Sequence, residues 1–581
     1  MNLKGRGLVK RSTLSDLEIW KNTSWRSKLV LVSFLLAFFT VVVRVFYLQF
    51  INAEHWQKRA EIRYTEYIEI PAPRGKIFDR NGEILASSIM EYKIGIVPKR
   101  FDLTSDKVHD LASYVDISPE IIKRKTGKTN GYFYLHRGIN EVTANQIKKL
   151  KIEGVEFERI YKRHYPFGRA FSTLLGCTND KDLGIEGIER AFEQELRGKF
   201  GSKLLFVEKD NRPYDEKILK APLPGQNVHL TVDSALQTLV HKEASVAREA
   251  HKASAVSIVV VDSRTGDILA MVNSPAFDPR KRRNLSLDEV RNRSITDKFE
   301  PGSTFKPFAI AAALDQGLVT AASKIETAPG YLKIGEKSLR DVKSFGMLTL
   351  PEVLAKSSNV GTVRVALQME PSIMYEYYNS LGFGKIPDLP FGGLVRGKLP
   401  PWQSWGKINQ ATISYGYGVS VSLVQLARAY TVFARNGVLL PLRISKSQSK
   451  EKSIKVFSPT VVSDVRFMLE KASSKSGTGY RAAVKGFQVA GKTGTSKKQE
   501  KGSYSQNRYI ASYVGFAPSD NPRLIVAIMV DEPKGTKHGG QVAAPIFSKI
   551  VTSALRRLQM SPDPDERVFP KTAQYSEERQ Q

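Results

Sequence analysis

The stretch EPGSTFKPFAIAAALDQG, from Glu300 to Gly317, joins a Pro-Gly turn to a run of apolar helix formers. The turn places Ser303 at the start of a helix, and Lys306 returns to the same face one turn later. A serine hydroxyl is a weak nucleophile until a neighbouring base takes its proton. A lysine amine can be that base when desolvation or nearby positive charge lowers its pKa. The stretch therefore predicts a nucleophile and its base on one apolar helix.

The S-x-x-K spacing alone is weak evidence, because it recurs in the polar stretch SKSQSKEK. There it joins Ser447 to Lys450 and Ser449 to Lys452, which we interpret as a solvated loop. Only Ser303 has the adjoining Pro-Gly turn and an apolar helix after it. The function is therefore assigned to the Ser303 copy.

Two further motifs follow along the chain. Ser357-Ser358-Asn359 comes after the predicted helix LPEVLAK, and a hydroxyl with an amide there could shuttle a proton and hold a substrate amide. By itself this tripeptide is more typical of a helix cap or a turn. The second motif is GKTGT, Gly491 to Thr495.

The GKTGT motif has a rival meaning. Gly486 to Thr493 satisfies the G-x-x-x-x-G-K-[ST] pattern of phosphate-binding loops. Such a loop needs small residues whose amides wrap phosphate and a helix directly after it. The intervening residues Phe-Gln-Val-Ala favour an extended strand, and Thr-Gly-Thr-Ser starts no convincing helix. We interpret the nucleotide pattern as a false positive.

Ser303, Ser357 and Lys492 lie in order, at separations of 54 and 135 residues. This triplet resembles the S-x-x-K, S-x-N, K-T-G signature of penicillin-binding proteins and serine β-lactamases. RGKIFDRNG and the YPFGRA…GIEGIE block look like the N-terminal pedestal of class B penicillin-binding proteins. RNRSITDKFEPGSTFKP, KSSNVG and GKTGTS are most similar to the division-specific branch. The resemblance covers roughly residues 29 to 560.

The resemblance implies a D,D-transpeptidase that cross-links peptidoglycan stem peptides and is a target of β-lactams. Ser303 would attack the penultimate D-alanine carbonyl, with Lys306 as the base. Ser357 would relay a proton to the leaving amine, and Lys492 would raise the local positive potential. The same resemblance implies that the substrate is bound by Asn359, Thr493, Gly494 and Thr495, and that the amides of Ser303 and Thr495 form the oxyanion hole.

The resemblance also predicts a fold of the α+β class. The transpeptidase domain, an antiparallel sheet covered by helices, would occupy residues 226–560. It would follow an elongated, mostly β pedestal at residues 52–225 that resembles a penicillin-binding protein dimerisation domain. Turn signals agree, because Asn81-Gly82 predicts a hairpin and apolar strands flank Arg264-Thr265-Gly266. The polar tail, residues 561–581, is predicted to be disordered.

A membrane anchor is predicted at residues 29–51, LVLVSFLLAFFTVVVRVFYLQFI, where Arg44 is the only charge. As a helix this run spans about 35 Å, enough to cross a bilayer. Residues 1–28 carry seven Lys or Arg against two acidic residues, which predicts a cytoplasmic tail. No small-x-small cleavage site follows the apolar run. We expect a single-pass protein of the bacterial inner membrane with a periplasmic catalytic domain at the division septum.

The formal charge of +30 is compatible with nucleic acid, an anionic membrane or an acidic polymer such as cell wall, and the exported location argues against nucleic acid. The single cysteine, Cys177, excludes an intramolecular disulfide and a Cys/His zinc cluster. No cofactor or metal is expected.

Two absences refine the expected activity. No Glu-x-x-Leu-Asn element lies between Asn359 and Lys492. This absence disfavours rapid hydrolysis of the class A β-lactamase type, and a D,D-carboxypeptidase-like side activity stays open. Only 22 residues separate the anchor from RGKIFDRNG. They cannot hold a glycosyltransferase domain, so a membrane glycosyltransferase is expected among the division partners. An elongation enzyme, a β-lactam sensor and an inactive scaffold are the alternatives.

Overall fold

The structure, a computed structural model, describes residues 25–103, 106–208, 213–281, 286–448, 452–500 and 503–562. Most of the predicted cytoplasmic tail and nearly all of the predicted disordered C-terminus lie outside the described residues. The chain divides into two compact units. One comprises residues 1–70 with 200–222, and the other comprises residues 71–199 with 223–581.

The first unit contains the predicted anchor. Its helix, Trp25–Phe46, continues into one π-helical turn, Tyr47–Ile51, and none of these side chains is buried. The helix begins four residues before the predicted start at residue 29. The other elements are the helix Ala53–Tyr64 and a three-stranded antiparallel sheet. The sheet has Gly201–Val207 at its centre, between Thr65–Ile70 and Pro213–Lys220.

The second unit begins with a small sheet built around the long strand Ile84–Ile96. This strand pairs antiparallel with Phe133–Asn140, with Val155–His164 and with Ile77–Phe78, which itself pairs in parallel with Val228–His229. The predicted hairpin turn at Asn81-Gly82 is confirmed, because it joins Ile77–Phe78 to the long strand.

Residues 71–199 contain more helix than a mostly β pedestal would have. In the helix Lys107–Val115, for example, Val108, Leu111, Ala112 and Val115 recur at helical spacing and are buried together. Residues 187–196 form two short helices instead of one, because the backbone leaves the helical region at Phe192. The helices of this region are Lys107–Val115, Pro119–Lys128, Glu141–Lys149, Arg169–Leu175, Gly187–Ala191 and Glu193–Leu196, with a 3-10 turn at Pro98–Arg100.

The remaining part of the second unit is built on a five-stranded antiparallel sheet. Its strands are Ala255–Asp262 (β1), Ile268–Ser274 (β2), Ala490–Glu500 (β3), Ser503–Ala517 (β4) and Leu524–Asp531 (β5). Their order is β2-β1-β5-β4-β3, so β3, which carries the GKTGT motif, lies at an edge. Strands β1, β2 and β5 are near-continuous apolar runs, as expected for strands buried on both faces.

Helices cover both faces of this sheet, as predicted. Ser234–Ala250 and Gly539–Arg557 pack on the face that includes Ile258 of β1, whereas Val259 faces the other core. The other helices are Leu287–Val290, Arg293–Thr296, Lys306–Asp315, Leu350–Lys356, Asn359–Ala366, Pro371–Ser380, Lys407–Ser414, Leu423–Ala429, Thr431–Ala434 and Pro459–Ser473. The short strands are Lys324–Glu326, Tyr331–Ile334, Lys337–Arg340, Met347–Thr349, Val438–Leu439 and Ile454–Lys455. The 3-10 turns are Gly302–Phe305, Trp402–Ser404 and Tyr480–Ala482.

The helix Lys306–Asp315 lies in the interior of this domain, and every residue from Lys306 to Leu314 is buried. A helix that is apolar all round is stable only when it is enclosed on every side. The stretch that opened the sequence analysis therefore forms the central helix, with Ser303 one turn before it.

Candidate active site

Ser303 lies in a single 3-10 turn, Gly302–Phe305, directly before the central helix. Gly302 has a φ of +56°, and a Cβ there would lie 3.2 Å from the Thr495 carbonyl oxygen. Glycine at this position therefore lets the turn approach strand β3. Ser303 is half-buried, and no described residue is hydrogen-bonded to its hydroxyl. The hydroxyl is thus free to meet a substrate.

The Lys306 side chain is completely buried at the start of the central helix. Its Nζ donates to the Ser357 carbonyl oxygen at 2.5 Å and to Ser357 Oγ at 3.2 Å. Burial lowers the pKa of the Lys306 amine well below its usual value, and the charge of Lys492 lowers it further, against an opposing effect of Asp341. The neutral amine, which can accept a proton, is therefore favoured relative to that of an exposed lysine.

Lys492 approaches Ser357 from strand β3 and is also fully buried. Its Nζ donates to Ser357 Oγ at 3.0 Å and to the carbonyl oxygen and hydroxyl of Thr493 at 3.2 and 3.4 Å. Burial lowers the pKa of Lys492 to about 7. Two lysines therefore share one serine hydroxyl, and Thr493 extends this network to Thr478 through a hydroxyl pair 2.8 Å apart.

Ser357 occupies the left-handed region, with a φ of +59°, between the helices Leu350–Lys356 and Asn359–Ala366. The turn is held from outside by the carboxylate of Asp341. This carboxylate accepts hydrogen bonds from the Ser358 hydroxyl, the Asn359 amide and, at 3.1 Å, the Val360 amide. Asp341 thus stabilises the conformation that presents Ser357 to both lysines.

Gly494, next along β3, lies against Gly539, the first residue of the last helix, Gly539–Arg557. A Cβ at Gly539 would lie 2.3 Å from the Gly494 carbonyl oxygen, and a Cβ at Gly494 would lie 2.3 Å from Ser512 Oγ. The Thr495 hydroxyl accepts a hydrogen bond from the Gly539 amide at 3.1 Å. These contacts fix the backbone of β3 beside the Ser303 turn.

The side chain of Asn359 donates from Nδ2 to the Arg340 carbonyl oxygen at 2.9 Å. This bond orients the amide and leaves its Oδ1 and second N–H available.

The structure thus joins Lys306, Ser357, Lys492 and Thr493 in one hydrogen-bonded network and brings the Ser303 turn against β3. The expected pairing of Ser303 with Lys306 differs in one respect, because both hydrogen bonds of the Lys306 amine to described residues go to Ser357. Sequence reasoning did not identify Asp341 or Thr478, since neither belongs to a motif with a recognisable spacing.

The geometry of residues 486–493 is incompatible with a phosphate-binding loop. The chain enters strand β3 at Ala490, no helix follows Lys492, and the lysine side chain is enclosed instead of lining an open loop. Among the described residues, no group of three or more His, Cys, Asp or Glu side chains is placed to hold a metal ion.

We expect Asp341→Ala to lower the rate of Ser303 acylation by a β-lactam roughly 10- to 100-fold, because three donors lose their acceptor and the Ser357 turn is released. Leaving buried partners unsatisfied should also lower the free energy of unfolding by about 1–3 kcal/mol. Acylation kinetics and denaturant unfolding measure the two effects. Glu336→Ala, in the turn between the paired strands Tyr331–Ile334 and Lys337–Arg340 that precede Asp341, is the control. A wild-type rate in Asp341→Ala would contradict the assigned role.

Comparison with known proteins agrees with this geometry. The family model described as the penicillin binding protein transpeptidase domain matches residues 256–552, and that of the penicillin-binding protein dimerisation domain matches residues 69–230. The chain is 35% identical to the peptidoglycan D,D-transpeptidase FtsI of Escherichia coli K12 over 548 residues, covering 93% of each chain. It is 36% identical to the probable peptidoglycan D,D-transpeptidase PenA of Neisseria meningitidis over 546 residues, covering 92% of this chain and 93% of PenA.

Solved structures give the same result. Penicillin-binding protein 3 of Mycobacterium tuberculosis in complex with aztreonam aligns with a TM-score of 0.67 at 26% identity, covering 86% of this chain and 98% of that chain. The transpeptidase domain of Burkholderia pseudomallei penicillin-binding protein 3 aligns at 42% identity with a TM-score of 0.54, covering 58% and 98%.

The chain therefore belongs to the penicillin-binding protein transpeptidase family. In this chain the match to the dimerisation domain precedes the match to the transpeptidase domain, and the relatives are named peptidoglycan D,D-transpeptidases.

Proposed function

We propose that this chain is a serine D-Ala-D-Ala transpeptidase that cross-links peptidoglycan, with Ser303 as its nucleophile. The observation that carries the proposal is the network in which the buried amines of Lys306 and Lys492 share the Ser357 hydroxyl beside the Ser303 turn. Such a network can move a proton away from an attacking hydroxyl and deliver it to a leaving amine without a histidine or a metal.

In the acylation step, Ser303 Oγ attacks the carbonyl carbon of the penultimate D-alanine, and its proton passes to the neutral amine of Lys306. The tetrahedral intermediate then collapses, the amide C–N bond breaks, and a proton delivered through Ser357 Oγ converts the departing nitrogen into the amine of free D-alanine. Lys306 and Ser357 are already hydrogen-bonded, so this proton needs only a short path.

In the second step, the amine of a neighbouring stem attacks the acyl-Ser303 carbonyl. Its proton returns by the same path, the ester C–O bond breaks, and Ser303 regains its hydrogen while the cross-link forms. Water in place of the amine gives the D,D-carboxypeptidase-like side activity.

Substrate orientation follows from strand β3 and the turn after Ser357. Thr493 and Thr495, beside the charge of Lys492, bind the terminal carboxylate, and Gly494 gives the substrate close access to the β3 backbone. The amides of Ser303 and Thr495 stabilise the oxyanion, and one such donor is worth about 3 kcal/mol of barrier. The Asn359 side chain holds the donor peptide amide.

The edge position of β3 supports this orientation. An edge strand leaves backbone N–H and C=O groups unpaired on one side, so an extended peptide can add to it as a further strand. Main-chain hydrogen bonds then give affinity, and the motif side chains select the D-Ala-D-Ala end.

The full-length protein, incubated with un-cross-linked glycan polymer carrying pentapeptide stems, is expected to form stem dimers and release one D-alanine per cross-link. Mass spectrometry of digested products and a D-alanine assay measure both quantities. Prior exposure to a penicillin should stop both. Formation of D-alanine without dimers would identify a carboxypeptidase, and covalent penicillin binding without either product would identify a sensor.

We further propose that the enzyme acts at the division septum, with its N-terminus in the cytoplasm and residues 226–560 in the periplasm. The apolar helix Trp25–Phe46 supports a single-pass anchor. The proposed partners are a membrane glycosyltransferase that supplies lipid-linked polymer and other division proteins. The chain's similarity to FtsI over 93% of its length, with the division-type motifs, supports the septal role.

Depletion of the protein from the bacterium that encodes it should block septation and produce filaments, because elongation continues without division. Microscopy measures cell length against a strain complemented with the wild-type gene. Rounded cells would instead indicate the side-wall elongation enzyme.

A further inference from the structure

Glu300 precedes the nucleophile by three residues, and its carboxylate connects three separate segments. Oε1 accepts hydrogen bonds from the Gly418 amide at 2.8 Å, from Gln499 Nε2 at 3.3 Å and from the Tyr504 hydroxyl at 3.1 Å. One carboxylate oxygen therefore ties the Ser303 segment to a neighbouring turn and to both strands of the β3–β4 hairpin.

The two hairpin residues oppose each other across the strands, with Gln499 on β3 paired to Tyr504 on β4. They lie beyond Thr495, farther along β3 from Lys492. The ring of Tyr504 contacts the ring of Tyr417, with centroids 5.6 Å apart. Glu300 thus holds the far end of the edge strand next to the segment that carries the nucleophile.

The Gly418 turn is also connected to the nucleophile. The carbonyl oxygen of Gly416, in this turn, accepts a hydrogen bond from the Gly302 amide at 3.1 Å. The carboxylate of Glu300 and the backbone of Gly302 therefore bind the same turn from two sides, so the geometry of the Ser303 segment and that of the hairpin are mechanically linked.

Burial of the Glu300 carboxylate is electrostatically unfavourable. It forms no ion pair with the described residues, its Oε2 is buried without a hydrogen-bond partner, and burial raises the pKa of its carboxyl. The structure therefore uses this side chain as a hydrogen-bond acceptor for three donors and not as a salt-bridge partner.

The expected path of the substrate along β3 indicates a role for the hydrogen bonds between Glu300 and the β3–β4 hairpin. If the terminal carboxylate binds at Thr493 and the reacting carbonyl reaches Ser303, the rest of the donor stem continues along β3 towards Gln499. A short substrate would end before this region, whereas a full stem would enter it.

We propose that Glu300 is a positioning residue for the donor stem, holding the β3–β4 hairpin so that the groove beyond Thr495 fits the full-length peptide. This inference rests on the proposed function, because it assumes that Ser303 is acylated by the stem.

The test compares two substrates of the full-length protein in detergent, a pentapeptide stem and a short N-acyl-D-Ala-D-Ala. Glu300→Ala is expected to raise KM for the pentapeptide and lower its kcat/KM about tenfold, with less than a threefold change for the short substrate. Glu300→Gln keeps an acceptor oxygen and should restore pentapeptide kcat/KM to within threefold of wild type. Glu326→Ala, an exposed glutamate bonded to a nearby backbone amide, is the matched control.

A second variant covers the case in which Glu300→Ala fails to fold. Gln499→Ala combined with Tyr504→Phe removes the hairpin donors and leaves Glu300 in place, and it should show the same selective loss. Equal losses for both substrates, or no loss for either, would overturn the inference. Failure of the wild type to release D-alanine from either substrate would instead overturn the proposed function.

Discussion

Replacement of Ser303 by alanine is expected to abolish covalent labelling by a fluorescent penicillin and all release of D-alanine. The acyl-enzyme requires an oxygen at this position, and Ser357, the serine whose hydroxyl contacts both buried lysines, is assigned to proton relay. Gel fluorescence should show a band near 64.9 kDa for the wild type and none for Ser303→Ala. The hydroxyl has no hydrogen-bond partner among the described residues, so the free energy of unfolding should change by less than about 0.5 kcal/mol.

Ser447→Ala is the matched control for this experiment. Ser447 also begins an S-x-x-K pattern, but its hydroxyl is paired with that of Ser445 at 2.9 Å, in a segment without the Pro-Gly turn. This variant should label like the wild type. A labelled Ser303→Ala protein would mean that another residue is the nucleophile.

Replacement of Lys306 by methionine is expected to lower the second-order rate of acylation by 10²- to 10⁴-fold, the usual contribution of a general base. Methionine fills the buried space but cannot accept the Ser303 proton or donate to Ser357. Stopped-flow acylation by a penicillin measures the loss. Lys356→Met, which removes an exposed amine bonded to the Ser476 carbonyl oxygen, is the control and should retain the wild-type rate.

The pH profile separates a base from a merely structural lysine. The lowered pKa of Lys306 makes its neutral form available well below pH 10.5, so wild-type acylation should rise as pH increases through that pKa. Loss of the Lys492 charge above its pKa of about 7 weakens carboxylate binding and gives a falling limb. Lys306→Met should lose the rising limb and keep the falling one. A rising limb that persists, or a rate within tenfold of wild type, would contradict the assignment.

Of the three motifs, the Ser303 stretch has a local physical signature of its own, whereas Ser357 and Lys492 were assigned because the ordered triplet resembles the family signature. Pro301-Gly302 followed by apolar helix formers marked the Ser303 turn, and the intervening strand formers before Gly491 argued against the phosphate loop. The five-stranded sheet was predictable in part for the same reason, since strands that are apolar on both faces read as continuous runs.

Other features depend on tertiary contacts that leave no local pattern. Asp341 follows a surface hairpin and acts on a turn 16 residues later, and the hydrogen bonds of Lys306 to Ser357 depend on how two helices pack. The last helix, Gly539–Arg557, contains Pro545 in its interior, so the rule that favours a proline near a helix start does not locate its first residue. The limits proposed for the pedestal at residues 52–225 stay a prediction.

The close contact between Gly494 and Gly539 restricts how this protein could evolve drug resistance. A methyl group at either glycine would collide with backbone or with Ser512, so mutations there would destroy the scaffold before they could exclude an inhibitor. Selection for escape from β-lactams must therefore act on positions with freedom to vary, such as the solvent-facing side chains farther along the groove. Those same positions would contact the natural peptide, so each gain in tolerance should come with some loss of fitness in wall synthesis.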